Sequence, residues 1–157
     1  MKNLLHILFL LLPTVCFSQN LIKVACIGNS VTYGYGHTNP NETSYPVQLS
    51  KLLGNDYKVK NFGKSGATLL NKGHRPYKEQ PEYKAALDFA PDIAVIHLGL
   101  NDTDPRNWPN YRDDFIPDYI SLIDTLRQIN SNVKIYICRM TPIFHWNKRF
   151  KSGTRDW

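Results

Sequence analysis

Three short polar segments of the chain hold residue types that can take part in acyl transfer. Ser30 lies two residues beyond Gly28, which ends an apolar run, and a serine at a tight turn leaving a strand presents its hydroxyl to solvent. Gly66 follows a second run and, having no side chain, allows its N–H to approach an anion. Asn101 follows a third run, and its amide can donate a hydrogen bond to an oxyanion. The three segments thus offer a candidate nucleophile and two candidate donors to an oxyanion, and a serine nucleophile also requires a base.

Each segment taken alone is more typical of an ordinary turn than of a functional site. Serine, glycine, asparagine and aspartate are common in turns because they cap helices, adopt positive φ or bond to nearby backbone. Asp102, directly after Asn101, can hold its own loop in this way. The functional signal is therefore the combination of the three segments.

The elements that must position these residues are strands alternating with helices. Apolar runs predict buried strands over 21–27, 57–62, 92–98 and 133–138. Helical spacing predicts helices over 45–53, 82–89 and 113–129. The apolar face of the last helix is predicted to consist of Ile116, Ile120, Ile123 and Leu126. This alternation predicts a parallel α/β sheet with helices on both faces and a site at the carboxyl ends of the strands.

Taken together and in this order, the three segments resemble the first three sequence blocks of the SGNH (GDSL-like) hydrolases. The matching stretches are G-N-S-V-T-Y-G around Ser30, N-F-G-K-S-G-A-T around Gly66 and G-L-N-D around Asn101. The resemblance covers about residues 22–144, and 111–144 is most similar to the sialate O-acetylesterase-like and carbohydrate-esterase branch. It implies a three-layer α/β/α fold with a flavodoxin-like sheet, and hydrolysis of an ester, often an acetyl group on a sugar.

The resemblance also implies a role for each residue. Ser30 would be the nucleophile, and its own N–H, the N–H of Gly66 and the side chain of Asn101 would form the oxyanion hole. The reaction requires no metal ion and no organic cofactor. The substrate would be a small-molecule or glycan ester, and further substrate contacts are predicted for Tyr33, Asp102 and His145.

The sequence departs from the family pattern in two places. Asn29 stands where the first block usually has aspartate, and it can still accept a hydrogen bond. The last block of the family, Asp-x-x-His, supplies the general base and its orienting acid, and no such pattern occurs in these 157 residues. We therefore expect residues 19–157 to form a hydrolase domain truncated before that block, with the last strand and helix of the fold missing.

Two other function classes stay open at this point. A non-catalytic carbohydrate-binding remnant would keep the pocket but lack the base. A flavodoxin-like binder of phosphate or flavin would use the loop after the first strand, although it gives no role to G-L-N-D.

Composition and charge limit the partners of the protein. With 157 residues, 42% hydrophobic and 20% charged, the chain is predicted to form one globular domain, which excludes collagen-like and disordered classes. The formal net charge is +6, but residues 139–157 hold five cations and one anion and so contribute +4 of it. The remainder is nearly neutral, which argues against a nucleic-acid-binding face.

Residues 1–18 are predicted to be a secretory signal peptide. A basic start is followed by an apolar stretch over 4–15, which is shorter than the roughly 20 residues of a membrane-spanning helix. We expect cleavage near Ser18 and a secreted or periplasmic protein without membrane attachment; an N-terminal membrane anchor is the alternative.

Cys26 and Cys138 are predicted to stay unpaired, because another strand lies between theirs.

Overall fold

The structure is a computed structural model that describes residues 20–140. Within that range, four parallel strands form one sheet in the order β2-β1-β3-β4. The strands are β1 (Ile22–Gly28), β2 (Tyr57–Gly63), β3 (Ile93–His97) and β4 (Lys134–Ile137). This order agrees with the flavodoxin-like sheet predicted from the sequence, and no strand boundary differs from its prediction by more than one residue.

Helices flank or connect these strands. They are α1 (Ser30–Tyr33), α2 (Pro40–Thr43), α3 (Tyr45–Leu53), α4 (Pro81–Asp88), α5 (Trp108–Tyr111) and α6 (Phe115–Ile129). Short 3₁₀ turns cover Tyr77–Glu79, Asn101–Thr103 and Arg112–Asp114. The predicted helices correspond to α3, α4 and α6, and the sequence patterns missed the single-turn elements.

Side chains of alternating residues enter opposite faces of the sheet, as strand geometry requires. On one face, Ala25 and Ile27 of β1 belong to the buried core together with Ala86 of α4 and Leu126 of α6. On the other face, the thiol of Cys26 contacts the hydroxyl of Tyr45, the first residue of α3. Helices therefore cover both faces, which gives the three-layer α/β/α arrangement.

The buried face of α6 differs from the predicted one. Ile116 and Ile120 are 63% and 52% exposed, whereas Tyr119, Leu122 and Leu126 are buried. The buried residues recur at spacings of three and four, so they form the neighbouring row of the same helix. The prediction was therefore wrong for Ile116 and Ile120, but it is confirmed for Leu126, which is buried, and for Ile123, which packs against the core. Two adjacent rows of α6 are apolar, and only packing against the sheet selects between them.

The two cysteines of the described range are both free thiols, as predicted. Cys26 lies on β1 and Cys138 follows β4, with β3 between them in the sheet. Burial raises the pKa of the Cys26 thiol to about 11, so the thiol stays protonated and unreactive at neutral pH.

The predicted signal peptide lies outside the described residues, as does His145. Within residues 20–140, none of the helices combines the length and hydropathy that a bilayer crossing demands.

Candidate active site

The carboxyl ends of three strands meet at one edge of the sheet. The pairing register places Gly28 of β1 beside Gly63 of β2 and His97 of β3. The loops that begin there carry the three residues predicted to act on an ester: Ser30, Gly66 and Asn101. The fold thus brings to one edge residues that are up to 71 positions apart in the sequence.

Ser30 begins α1, within a segment for which the sequence predicted only a loop. The side-chain Oδ1 of Asn29 accepts a hydrogen bond from the Val31 N–H at 3.0 Å and so caps the helix. Gly34 ends it with a positive φ of 90°. The Ser30 side chain is half-buried, and its hydroxyl forms no hydrogen bond within residues 20–140. It is therefore free to engage a ligand.

Asn29 accepts a hydrogen bond, as expected from the sequence, but leaves one polar atom unsatisfied. The residue is fully buried, and its Nδ2 has no hydrogen-bond partner within the described range. A buried donor without a partner costs about 1–3 kcal/mol. The turn thus tolerates the replacement of the family's usual aspartate, at some cost in stability.

Gly66 adopts a positive φ of 81° beneath an arginine side chain. A Cβ at this position would lie 3.3 Å from Nη1 of Arg75, which donates a hydrogen bond to the Ser65 carbonyl at 3.1 Å. Both the backbone conformation and the close guanidinium favour glycine here. Arg75 also places a positive charge beside the predicted oxyanion donor.

Asn101 is 4% exposed and is joined directly to the Gly66 loop. Its Nδ2 donates a hydrogen bond to the carbonyl of Ala67 at 2.9 Å. Because a primary amide carries two hydrogens, this bond leaves one donor of Asn101 for another acceptor. The predicted donors of Gly66 and Asn101 therefore lie in neighbouring positions.

Asp102 has a different role from the substrate contact predicted for it. The residue is fully buried, and its two oxygens accept hydrogen bonds from the backbone N–H groups of Leu69 and Leu70 at 3.0 and 2.7 Å. A carboxylate with no exposed surface and both oxygens occupied is not placed to bind a substrate. Asp102 instead fixes the Gly66 loop against the Asn101 turn, in line with the loop-holding role considered from the sequence.

Asn107 also positions this site, and the sequence analysis missed it. Its Nδ2 donates a hydrogen bond to the carbonyl of Asn101 at 2.9 Å, and its Oδ1 accepts one from the His74 N–H at 2.9 Å. The residue is 1% exposed. No local pattern signals this role, because His74 lies 33 residues away in the sequence.

The histidines of the described range form no hydrogen bond with Ser30. His37 Nδ1 bonds to the Thr43 hydroxyl at 2.8 Å, and His74 Nδ1 bonds to Asn107. His97 is buried in β3, and burial lowers its pKa. Residues 20–140 also contain no group of three or more His, Cys, Asp or Glu side chains able to hold a metal ion.

We expect the buried Asp102 carboxylate to make stability depend on pH. Burial raises its pKa from 3.8 to about 6, although the Leu70 and Leu69 N–H bonds oppose the rise. Because the folded-state pKa exceeds the unfolded value, Asp102 contributes stability below about pH 4 that is lost as the pH rises through about 6. The unfolding free energy of the wild type minus that of Asp102→Asn should fall by about 2 kcal/mol between about pH 4 and 7.

Chemical denaturation of both proteins across this pH range measures that difference. Asp104→Asn is the matched control. A hydrogen bond from Arg106 lowers the pKa of Asp104, so its effect has the opposite sign and lies at more acidic pH. A difference between wild type and Asp102→Asn that does not change with pH would contradict the assignment.

Comparison with known proteins identifies the family of the chain. The GDSL-like lipase/acylhydrolase family matches residues 26–157. An acetylxylan esterase of Xylanibacter ruminicola is 48% identical over 109 residues, which are 69% of this chain. The chain spans only 22% of the length of that relative.

Solved structures share the fold. A carbohydrate acetylesterase family member from Sinorhizobium meliloti has a TM-score of 0.68 at 23% identity, covering 86% of this chain and 72% of that chain. An aryl esterase of M. smegmatis has a TM-score of 0.56 at 18% identity, covering 85% of this chain and 73% of that one. The resemblance first noted in three short segments thus extends over most of the sequence, and the chain belongs to the GDSL-like lipase/acylhydrolase family.

Proposed function

We propose that the protein is a serine esterase that removes acetyl groups from carbohydrates, with xylan-type glycans as the substrate class. The observation that carries this proposal is the bond from Asn101 to Ala67, which sets an amide donor beside Gly66 at the edge where the Ser30 hydroxyl is free. The identity to a protein named as an acetylxylan esterase supports the choice of acetyl group and glycan.

In the proposed mechanism, Oγ of Ser30 attacks the ester carbonyl carbon. The negative charge that develops on the carbonyl oxygen is stabilised by the Ser30 N–H, the Gly66 N–H and the Asn101 amide. One donor of this kind is worth about 2.7–4 kcal/mol in the transition state. The bond between the carbonyl carbon and the sugar oxygen then breaks, and the base returns the proton of Ser30 to the departing oxygen. Water attacks the acetyl-serine intermediate, which releases acetate and restores the Ser30 hydroxyl.

Ser30 requires a base to accept its proton, because a serine hydroxyl is a weak nucleophile at neutral pH. No histidine within residues 20–140 bonds to Ser30, so we propose that the base lies outside this range. His145 keeps the substrate-contact role proposed for it from the sequence.

We also propose that the protein is exported, in line with the apolar stretch over residues 4–15, which would bring it to polymeric glycans outside the cytoplasm.

Acetate release tests the proposed activity directly. The protein should release acetate from acetylated xylotetraose and from an aryl acetate, with rates that rise with enzyme concentration. Failure to release acetate above the uncatalysed rate from either substrate would contradict the proposal.

A non-catalytic carbohydrate-binding protein is the second candidate. It is favoured by one observation: Asp-x-x-His does not occur in the 157 residues, and the Ser30 hydroxyl has no basic partner within residues 20–140. Binding of xylotetraose without turnover of any ester would support it. Membership of a hydrolase family argues against the phosphate- or flavin-binding alternative.

A further inference from the structure

We infer that a depression beside α1 binds the sugar ring that neighbours the acetylated one in the glycan chain. This pocket, here called the Tyr33 pocket, is lined by Tyr33, Pro40, Asn41, Asn61, Gly63 and Glu82. The inference rests on the proposed function, since it extends the substrate from one acetylated sugar to a chain of sugars.

The position of the pocket follows from the short helix that carries the predicted nucleophile. Tyr33 is three residues after Ser30 in α1, and helical residues at this spacing lie on one face with Cβ atoms about 5–6 Å apart. A chain with its ester at Ser30 therefore has its next ring within reach of Tyr33.

The pocket wall is fixed to α1 by backbone contacts. The Asn61 side chain donates to the Thr32 carbonyl at 2.8 Å and accepts from the Gly63 N–H at 2.8 Å. Gly63 packs so closely on α1 that a Cβ there would lie 2.7 Å from the Thr32 carbonyl carbon and from Tyr33 Cα. A wall held in this way keeps a constant distance from Ser30, as a subsite must.

The chemistry of the pocket suits an uncharged sugar. The Tyr33 ring is 48% exposed and offers an apolar surface for stacking on a pyranose. The Asn41 amide is exposed and has no hydrogen-bond partner within residues 20–140, so it can bond to a sugar hydroxyl.

The charge and the volume of the Tyr33 pocket further restrict the ligands that it can hold. Lys64 Nζ pairs with Oε1 of Glu82 at 2.9 Å, so the only carboxylate of the wall is neutralised and the pocket carries no net charge. Its volume of about 260 Å³ is smaller than the roughly 300–1,000 Å³ of pockets for drug-sized ligands. These properties fit one neutral pyranose ring rather than an acidic sugar or a flavin.

Isothermal titration of the full chain with unacetylated xylotetraose tests the pocket without requiring turnover. Tyr33→Ala should weaken binding at least about fivefold, because the stacking surface is lost. Tyr35→Ala is the matched control: it removes an aromatic ring that is 77% exposed only two residues away but does not line the pocket, and it should bind like the wild type. Equal affinities for wild type and Tyr33→Ala would overturn the inference.

A second variant tests the pocket independently, in case Tyr33→Ala does not fold. Asn41→Ala removes an exposed side chain that forms no hydrogen bond within residues 20–140, and it should still weaken xylotetraose binding about two- to threefold. Turnover of an aryl acetate, which carries no sugar, separates the two proposals. Esterase activity without xylotetraose binding would overturn the subsite alone, whereas binding lost in Tyr33→Ala without any esterase activity would support the subsite and contradict the proposed hydrolysis.

Discussion

Ser30→Ala should abolish acetate release while leaving the fold intact. The variant removes the oxygen that forms the acyl-enzyme bond, and loss of a serine nucleophile lowers kcat on the order of 10⁶-fold in a well-studied hydrolase. The Ser30 hydroxyl bonds to no residue within 20–140, so its removal leaves no partner unsatisfied there. The measurement is the steady-state rate of acetate release from acetylated xylotetraose, with the melting temperature recorded on the same samples.

Ser121→Ala provides the matched control for that experiment. Ser121 is an exposed residue of α6 and lies on a different element from the active-site loops. Its replacement should change neither rate nor melting temperature. If Ser30→Ala kept more than a few per cent of the wild-type rate, another residue would have to be the nucleophile.

Asn101→Ala should lower kcat by about 10²–10³-fold and change KM much less, because the lost donor acts on charge that exists only in the transition state. The variant also loses the hydrogen bond to the Ala67 carbonyl. We expect a loss of stability of about 1–3 kcal/mol from that bond, since the carbonyl stays buried. Steady-state kinetics together with denaturation separate the two effects.

The control for Asn101 is Asn130→Ala. Asn130 donates a similar side-chain hydrogen bond, to the Pro91 carbonyl at 3.0 Å, but this bond lies before β3, at the opposite end of the strand from Asn101. Its loss should destabilise the protein comparably without a selective fall in kcat. Equal kinetic effects of the two variants would mean that Asn101 acts through stability rather than as an oxyanion donor.

The sheet could be predicted from the sequence because buried parallel strands have a strong local signal. The run Ile22–Gly28 is almost continuously apolar, and this pattern does not depend on which elements pack against the strand. The single-turn helices have no such signal. In α1, Asn29 and Gly34 cap the helix, but they do not predict it, because the same residue types are common in turns.

The convergence of the three candidate site residues could be predicted from the sequence, but the residues that hold their loops in place could not. Ser30, Gly66 and Asn101 follow recognisable strands, so their convergence at one edge follows from topology. The bonds made by Asp102 and Asn107 join loops more than 30 residues apart, and nothing in the local sequence specifies their partners. Asp102 was therefore assigned to the substrate although the fold uses it to hold a loop.

Trapping the acyl-enzyme tests directly whether Ser30 is the nucleophile. The protein is mixed with an aryl acetate, quenched in acid and digested, and the peptides are analysed by mass spectrometry. We expect a single acetyl group on the peptide that contains Ser30, and none in Ser30→Ala. An acetyl group on a different residue, or no covalent acetylation under conditions of measurable turnover, would contradict it.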